Sequence, residues 1–447
     1  MSKIRLYGSS SGYIDIAPAA AASNNTLTAP STVGEIIAKD AAGAIGVTSM
    51  KASNVNVGAA VTISESGIEA SGIGITCANI NGGAIGGRRN IIINGAMEVA
   101  QRGTSSTDQL YSTVDRIRTS RTGNDNAPTY EQVDVASGTT PYTLGFRKAF
   151  KITNGNQTAG AGAADVTQFG TRIEGQDMNN SGWNYTSSSS YITLQFWVKA
   201  SVAQNYYFRV FTKDGTEQNF PMETGALTAN TWTKITKTIS GNSNLQIDND
   251  NGRGFDIAWT LYRGTNFTDS GCSLNTWAAT GSSTSLYPDL PTTWYTTNDA
   301  TFELTGVQLE VGSQATPFEH RNFGDELAQC QRYYDTSYAY GTAPGTGSMQ
   351  AGAIYSRFGG SEITNRMDLG TRWTTTMRAA PTVVAYSPSA GTADRVDDNG
   401  TGAGSGTDAV RTVSSYEQVS PKGFGGIVLT AASDNTCSYH YTAEAEI

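Results

Sequence analysis

The sequence predicts a mainly β protein, in which a slender stalk of short strands leads into a β-sandwich, one short helix and a C-terminal β-sandwich. Three observations lead there. Gly fills 50 of the 447 positions and only 15% of residues are charged, a neutral, turn-rich composition that suits all-β folds. Apolar residues alternate with polar ones over many short runs bounded by Gly, Asn and Ser, which is the period of a half-buried strand. Aromatic bulk is unevenly placed: before residue 90 only Tyr7 and Tyr13 occur, and the rest of the 21 Tyr, 14 Phe and 7 Trp follow. So long a chain exceeds what one core organises, and several domains are expected.

Residues 1–89 form the first of them. The segment is rich in Ala, Gly, Ile, Ser and Asn, too poor in bulky side chains to bury a globular core alone. It nevertheless alternates, at residues 4–7, 13–16, 55–57, 61–63 and 73–75, with turn residues such as Ser23, Asn24, Ser66 and Gly67 between. Short strands of small residues suit a trunk in which several chains bury one another's narrow apolar faces, preferably with threefold symmetry, although the pattern alone fixes no stoichiometry. Extended at about 3.3 Å per residue, such a trunk reaches at most roughly 300 Å.

Residues 90–322 read as one β-sandwich. The strongest strand covers 191–199, with Ile192, Leu194, Phe196 and Val198 on one face. Further strands are expected at 206–211, 231–239, 255–262 and 301–309, at spacings that favour hairpins and Greek-key links over crossover helices. The connecting segment 323–340 carries the one persuasive helix, from Gly324 to Tyr334, with Asp325 and Glu326 in its first turn and Arg332 late. Residues 341–447 then return to strands at 351–358, 382–385, 410–413, 426–429 and 438–445, interrupted by a Gly-rich loop at 400–406.

Charge excludes some partners. The net charge is -9, and Arg88 with Arg89, or Arg116 with Arg118 and Arg121, make spots too small for a nucleic-acid footprint. The longest aliphatic run, Ile91 to Ile93, is far too short for a membrane span, and the start of the chain has no signal-peptide pattern. Cys77, Cys272, Cys330 and Cys437 are scattered without metal-type spacing, consistent with thiols made in a reducing cytosol.

No catalytic, metal or cofactor site is expected. Residues 8–12 match a GxSxG elbow in letters only, because no helix follows them. His320 and His440 are the only histidines, and neither has a ligand at metal-like spacing. Residues 248–252 open like a calcium loop, but Trp259 stands where an EF-hand needs its twelfth-position Glu, so a turn is expected, with an irregular calcium site on these oxygen ligands as the alternative. The remaining candidate is a sugar platform, because aromatic rings stack on the apolar faces of pyranoses while amides and carboxylates hold the hydroxyls. Trp277, Tyr287, Asp289, Trp294 and Tyr295 lie together in one aromatic-rich loop, and Tyr386 and Tyr416 mark a second surface in the C-terminal region.

Several stretches resemble bacteriophage tail-fibre proteins, with short-tailed phages of aquatic bacteria closest. Residues 3–30, with Leu6-Tyr7-Gly8 and Gly12-Tyr13-Ile14, are similar to their N-terminal repeat. Residues 90–103, with Asp115 and Arg116 after them, resemble the entry to their carbohydrate-binding-like jelly roll. The exit, residues 306–321 continued by Cys330-Gln331-Arg332-Tyr333-Tyr334, is the most specific, and 377–382 and 441–445 resemble the family's final domain. The loop from Gly271 to Asp299 departs from that family in being longer and more aromatic.

The resemblance implies a trimeric virion fibre, made in the host cytoplasm without a signal peptide, that docks through its N-terminus to a tail adaptor, nozzle or other virion protein. It further implies binding to host surface polysaccharide and supplies no catalytic motif. Two other readings stay open at this point: a capsid fibre or decoration protein, and a tailspike depolymerase that cleaves polysaccharide.

Overall fold

The computed structural model describes residues 4–7, 13–16, 55–57, 61–64, 67–70, 88–280, 286–347, 351–357, 366–398, 409–430 and 436–447. The expected strand at 73–75, the GxSxG letters at 8–12 and the Gly-rich loop at 400–406 lie outside these residues. The chain divides into two compact units, Met1–Cys77 and Ala78–Ile447.

In the first unit, β1 (Ile4–Tyr7) pairs antiparallel with β2 (Tyr13–Ile16). Three more strands, β3 (Val55–Val57), β4 (Val61–Ser64) and β5 (Gly67–Ala70), form an antiparallel meander. Each strand falls where polar and apolar residues alternate.

The second unit opens with a two-sheet sandwich. Its strands are β6 (Ser105–Ser106), β7 (Arg118–Thr122), β8 (Thr129–Asp134), β9 (Lys148–Thr153), β10 (Val166–Glu174), β11 (Tyr191–Ala200), β12 (Asn205–Thr212) and β13 (Gln218–Ala226). They continue as β14 (Thr233–Ser240), β15 (Arg253–Arg263), β16 (Ala278–Ala279) and β17 (Thr301–Val311), with short helices α1 (Thr140–Thr143), α2 (Gly175–Asn179) and α3 (Thr293–Thr296) between. One sheet runs β14-β11-β17-β9-β8-β6 and the other β16-β13-β12-β15-β10-β7, all antiparallel. Alternation decides which side chains enter the core. Ile192, Leu194, Phe196 and Val198 of the first sheet meet Phe208, Val210, Ile257 and Trp259 of the second, with Phe196 edge-on to Trp259 at 5.4 Å between ring centroids.

Asn322 caps α4 (Phe323–Gln331) by accepting a hydrogen bond from the Asp325 amide. This helix ends before the Tyr334 expected from the sequence. Beyond it Arg332 and Tyr333 turn to Glu174, and β18 (Tyr334–Thr336) enters a third sheet. That sheet also holds β19 (Ile354–Arg357), β20 (Arg366–Arg372), β21 (Thr382–Tyr386), β22 (Arg395–Asp398), β23 (Ala409–Glu417), β24 (Gly423–Leu429) and β25 (Thr436–Glu444). It has its own apolar cluster, which includes Met367, Val396, Phe424, Ile427 and Tyr439. His440, which its position beside Tyr439 and Tyr441 places half in solvent, is instead fully buried and stacked on Tyr338 at 3.9 Å. No helix among the described residues is long and apolar enough to cross a membrane.

Candidate functional site

The aromatic loop does not form the expected platform. Tyr287, Trp294 and Tyr295 are each 0% exposed, so none presents a ring face to a ligand. Residues 286–300 fold back onto the sandwich and spend these rings as packing. The Tyr287 hydroxyl donates to the Ala258 carbonyl at 3.4 Å. Trp294 Nε1 donates to the Thr301 carbonyl at 3.1 Å, and Tyr295 stacks on Tyr262 at 4.4 Å.

Trp277 is half-buried against Phe220, with its Nε1 donating to the Ser240 carbonyl at 2.7 Å. Asp289 is exposed and accepts from the Thr268 hydroxyl at 2.6 Å. On the third sheet Tyr386 and Tyr416 are half-buried. Tyr386 meets Tyr338 edge-on, and the Tyr416 hydroxyl accepts from the Ala385 amide at 2.6 Å and donates to Asp394 at 3.2 Å. These residues do not converge on one cleft.

A different aromatic cleft does form, on the outer face of the first sheet. It encloses about 440 Å³ between Trp197 and Gln195 of β11, Lys234 of β14, Leu144 and Phe146 after α1, and the 315–320 stretch after β17. Strand parity sets its floor: residues flanking Leu194 and Phe196 must point outward. A bulge then aims the tryptophan. Gln195 pairs with Gln308 and Trp197 with Thr305, so two residues of β17 oppose one of β11. The extra residue, Gly306, has φ 65, a conformation that glycine adopts without strain. A Cβ there would stand 2.7 Å from Phe146 Cζ and 3.2 Å from Trp197 Cδ1.

The walls are fixed by ring packing. Phe146 and Phe318 meet edge-on at 4.8 Å, Phe318 and His320 at 4.9 Å, and His320 donates through Nε2 to the Leu144 carbonyl at 2.8 Å. Gln195 is anchored through its Nε2 to the Thr316 carbonyl at 2.6 Å. Leu144 and His320 are exposed at the rim, as is Lys234. Rigid rings beside an amide and an ammonium can stack on an apolar sugar face and hold its hydroxyls. Sequence parity contained this signal: with Ile192, Leu194, Phe196 and Val198 inward, Gln195 and Trp197 must face out.

The outer face of the second sheet carries a groove of different character, enclosing about 250 Å³. Arg118, Arg172, Arg209, Lys213 and Arg253 line it with two carboxylates, Glu217 and Asp256. Arg253 Nε donates to both Asp256 oxygens at 2.8 and 2.9 Å, and Arg172 lies 3.6 Å from the same carboxylate. Glu217 pairs with Lys213 and stands 3.6 Å from Arg209. Burial, together with the neighbouring Arg253 and Arg118 charges, holds the Arg172 guanidinium below its ordinary pKa, although Asp256 opposes this.

Elsewhere, among the described residues, no cluster of three or more His, Cys, Asp or Glu side chains is placed to hold a metal ion. The 248–252 stretch forms a turn in which Asp250 accepts from the Gly252 amide at 2.8 Å. Ser337 and His440 Nδ1 lie 3.0 Å apart, but His440 is buried.

No protein-family model and no curated protein matches the sequence. Among solved structures, the enzymatically active domain of tailspike protein 4 from bacteriophage CBA120 aligns at 12% identity and TM-score 0.28, over 50% of this chain and 21% of that one. The matched part is thus a minor share of the tailspike chain. A family 11 carbohydrate-binding module from Clostridium thermocellum, solved with a β-1,3-1,4-mixed-linked tetrasaccharide, aligns at 8% identity and TM-score 0.23 over 48% of this chain and 99% of that one. The N-terminal cellulose-binding domain of Cellulomonas fimi β-1,4-glucanase C aligns at 12% identity and TM-score 0.23, over 49% and 99%.

Proposed function

We propose that this chain is a non-enzymatic glycan-recognising subunit of a bacteriophage tail fibre, assembled as a homotrimer and carried on the virion to the host surface. One observation carries the recognition half of this reading: the cleft in which the rings of Trp197, Phe318 and His320 are locked beside Gln195 and Lys234. A pyranose presents an apolar face to such rings and hydroxyls to the amide and ammonium. The fibre half rests on the resemblance of residues 90–103 and 306–334, and on an N-terminal fifth without the bulk for its own core.

A microbial glycan array probed with the full chain tests the reading, followed by a reducing-end assay on each polysaccharide bound. Retention of at least one surface polysaccharide with no new reducing ends is the expected result. New ends from a bound polysaccharide favour a depolymerase, and an array without any bound glycan removes the recognition half.

A further inference from the structure

Register on the second sheet builds a trough with a positively charged wall on either side. Arg118 of β7 lies opposite Gly170 of β10, Gly170 opposite Ala258 of β15, and Ala258 opposite Arg209 of β12. Residues in such a row share one face of the sheet. The two central positions carry the smallest side chains, so the floor between the arginines is bare backbone and one methyl group. Glycine is required at 170, because a Cβ there would collide with the Ile257 carbonyl of the neighbouring strand. Three inter-strand spacings of about 4.8 Å separate the two walls by about 14 Å.

The adjoining row continues the pattern with Arg172, Asp256 and Phe211. Phe211 underpins the cations: the Arg209 guanidinium lies 3.8 Å from its ring centroid, Arg253 5.4 Å and the Lys213 ammonium 5.9 Å. Arg209 is further held by donating to Asn219 Oδ1 at 3.1 Å. Its orientation is therefore set before any ligand arrives.

Charge in the groove does not balance. Five cations face two carboxylates, which leaves three positive charges on a protein whose net charge is -9. Arg118 makes no ion pair with any described residue. Guanidinium forks matched across a narrow floor recognise carboxylate, sulfate or phosphate groups in pairs.

We infer that this trough binds an acidic saccharide, with Arg118 and Arg209 taking its anionic groups from opposite walls, as a second site on the sandwich face opposite the aromatic cleft. The inference rests on the glycan-recognition reading and adds the ligand's charge and its place. A nucleic-acid duplex fits less well. Tyr287 lies against Arg209 and Arg263 on one side, where the Leu286 carbonyl accepts from Asn219, and closes the trough there.

The test measures binding of the full chain to a panel of neutral and acidic bacterial polysaccharides. Each acidic one is compared with its carboxyl-reduced or phosphate-hydrolysed form, which tells carboxylate from phosphate recognition. Acidic members are expected to bind. Their affinity should fall about tenfold on neutralisation, and again about tenfold in Arg118→Gln, the loss of one charge-assisted hydrogen bond. Raising NaCl from about 50 to about 500 mM should weaken acidic binding alone. Arg118 is half-exposed, and an unchanged melting curve of the variant establishes that it folds. Acidic binding that survives both neutralisation and Arg118→Gln overturns the trough while leaving glycan recognition intact, as does binding of neutral members alone. Equal binding of duplex DNA also overturns it. A panel with no bound member removes both readings.

Discussion

The Arg116 guanidinium lies 3.5 Å from the centroid of the Tyr333 ring, and this contact joins the sandwich to the chain that follows it. Arg116 also pairs with Glu446, one residue from the C-terminal Ile447, and donates to the Arg172 carbonyl at 2.6 Å. Arg102 repeats the arrangement 3.7 Å from the Tyr334 ring and 3.1 Å from Glu446. Two neighbouring tyrosines and one glutamate thus tie the third sheet to the sandwich through two buried arginines.

Removing one partner of this network should therefore be costly. Arg116→Ala is expected to lower stability by about 3–5 kcal/mol, because it strips a buried carboxylate of a partner. Arg116→Met, which keeps aliphatic bulk over the Tyr333 ring but still removes one partner of Glu446, should recover only part of that loss. Denaturant titration of the three proteins checks both statements.

Acid should loosen the same junction. Glu174 is fully buried, which pushes its pKa up, yet hydrogen bonds from Arg332 at 2.7 Å and Tyr333 at 2.6 Å outweigh burial and hold it below the ordinary carboxylate value. A depressed carboxylate contributes stability that is complete above its unfolded value and is lost as pH falls through the folded one. Stability should thus decline below about pH 4.5, by this contribution, in the native protein and not in Glu174→Gln. Melting temperatures across the acid range report the difference.

Gly306→Ala attacks the cleft without replacing any of its rings. The residue has φ 65, and a Cβ would crowd Phe146. A destabilisation of about 1–3 kcal/mol is expected from the left-handed backbone and the displaced ring. Thermal melting checks the cost, and glycan binding checks the displacement.

A chain lacking residues 1–89 should still fold cooperatively, because both apolar clusters that define the sandwich and the third sheet lie beyond residue 90. The full chain should sediment as a trimer at micromolar concentration. A non-cooperative melt of the shortened chain, or a monomeric full chain, contradicts these expectations.

Strand positions were legible because alternation along residues 191–199 is local, and β11 lies where it points. The helix was legible at its start, where Asn322 and Asp325 make a local cap, but not at its end. Glu174 and Arg116, far away in sequence, draw Tyr333 out of the helical turn. Burial of Tyr287, Trp294 and Tyr295 was not legible, since an aromatic loop reads the same whether it stands in solvent or folds back. Trp197 was legible by parity alone, whereas the row from Arg118 to Arg209 depends on the register of four strands separated in sequence.

Titration calorimetry of the full chain and its Trp197→Ala variant against the polysaccharide that binds best to the aromatic cleft tests glycan recognition most directly. Saturable binding is predicted for the native chain, with affinity about tenfold lower in the variant through lost ring stacking. Equal affinity in the two proteins, with the variant's melt unchanged, contradicts a sugar seated on Trp197.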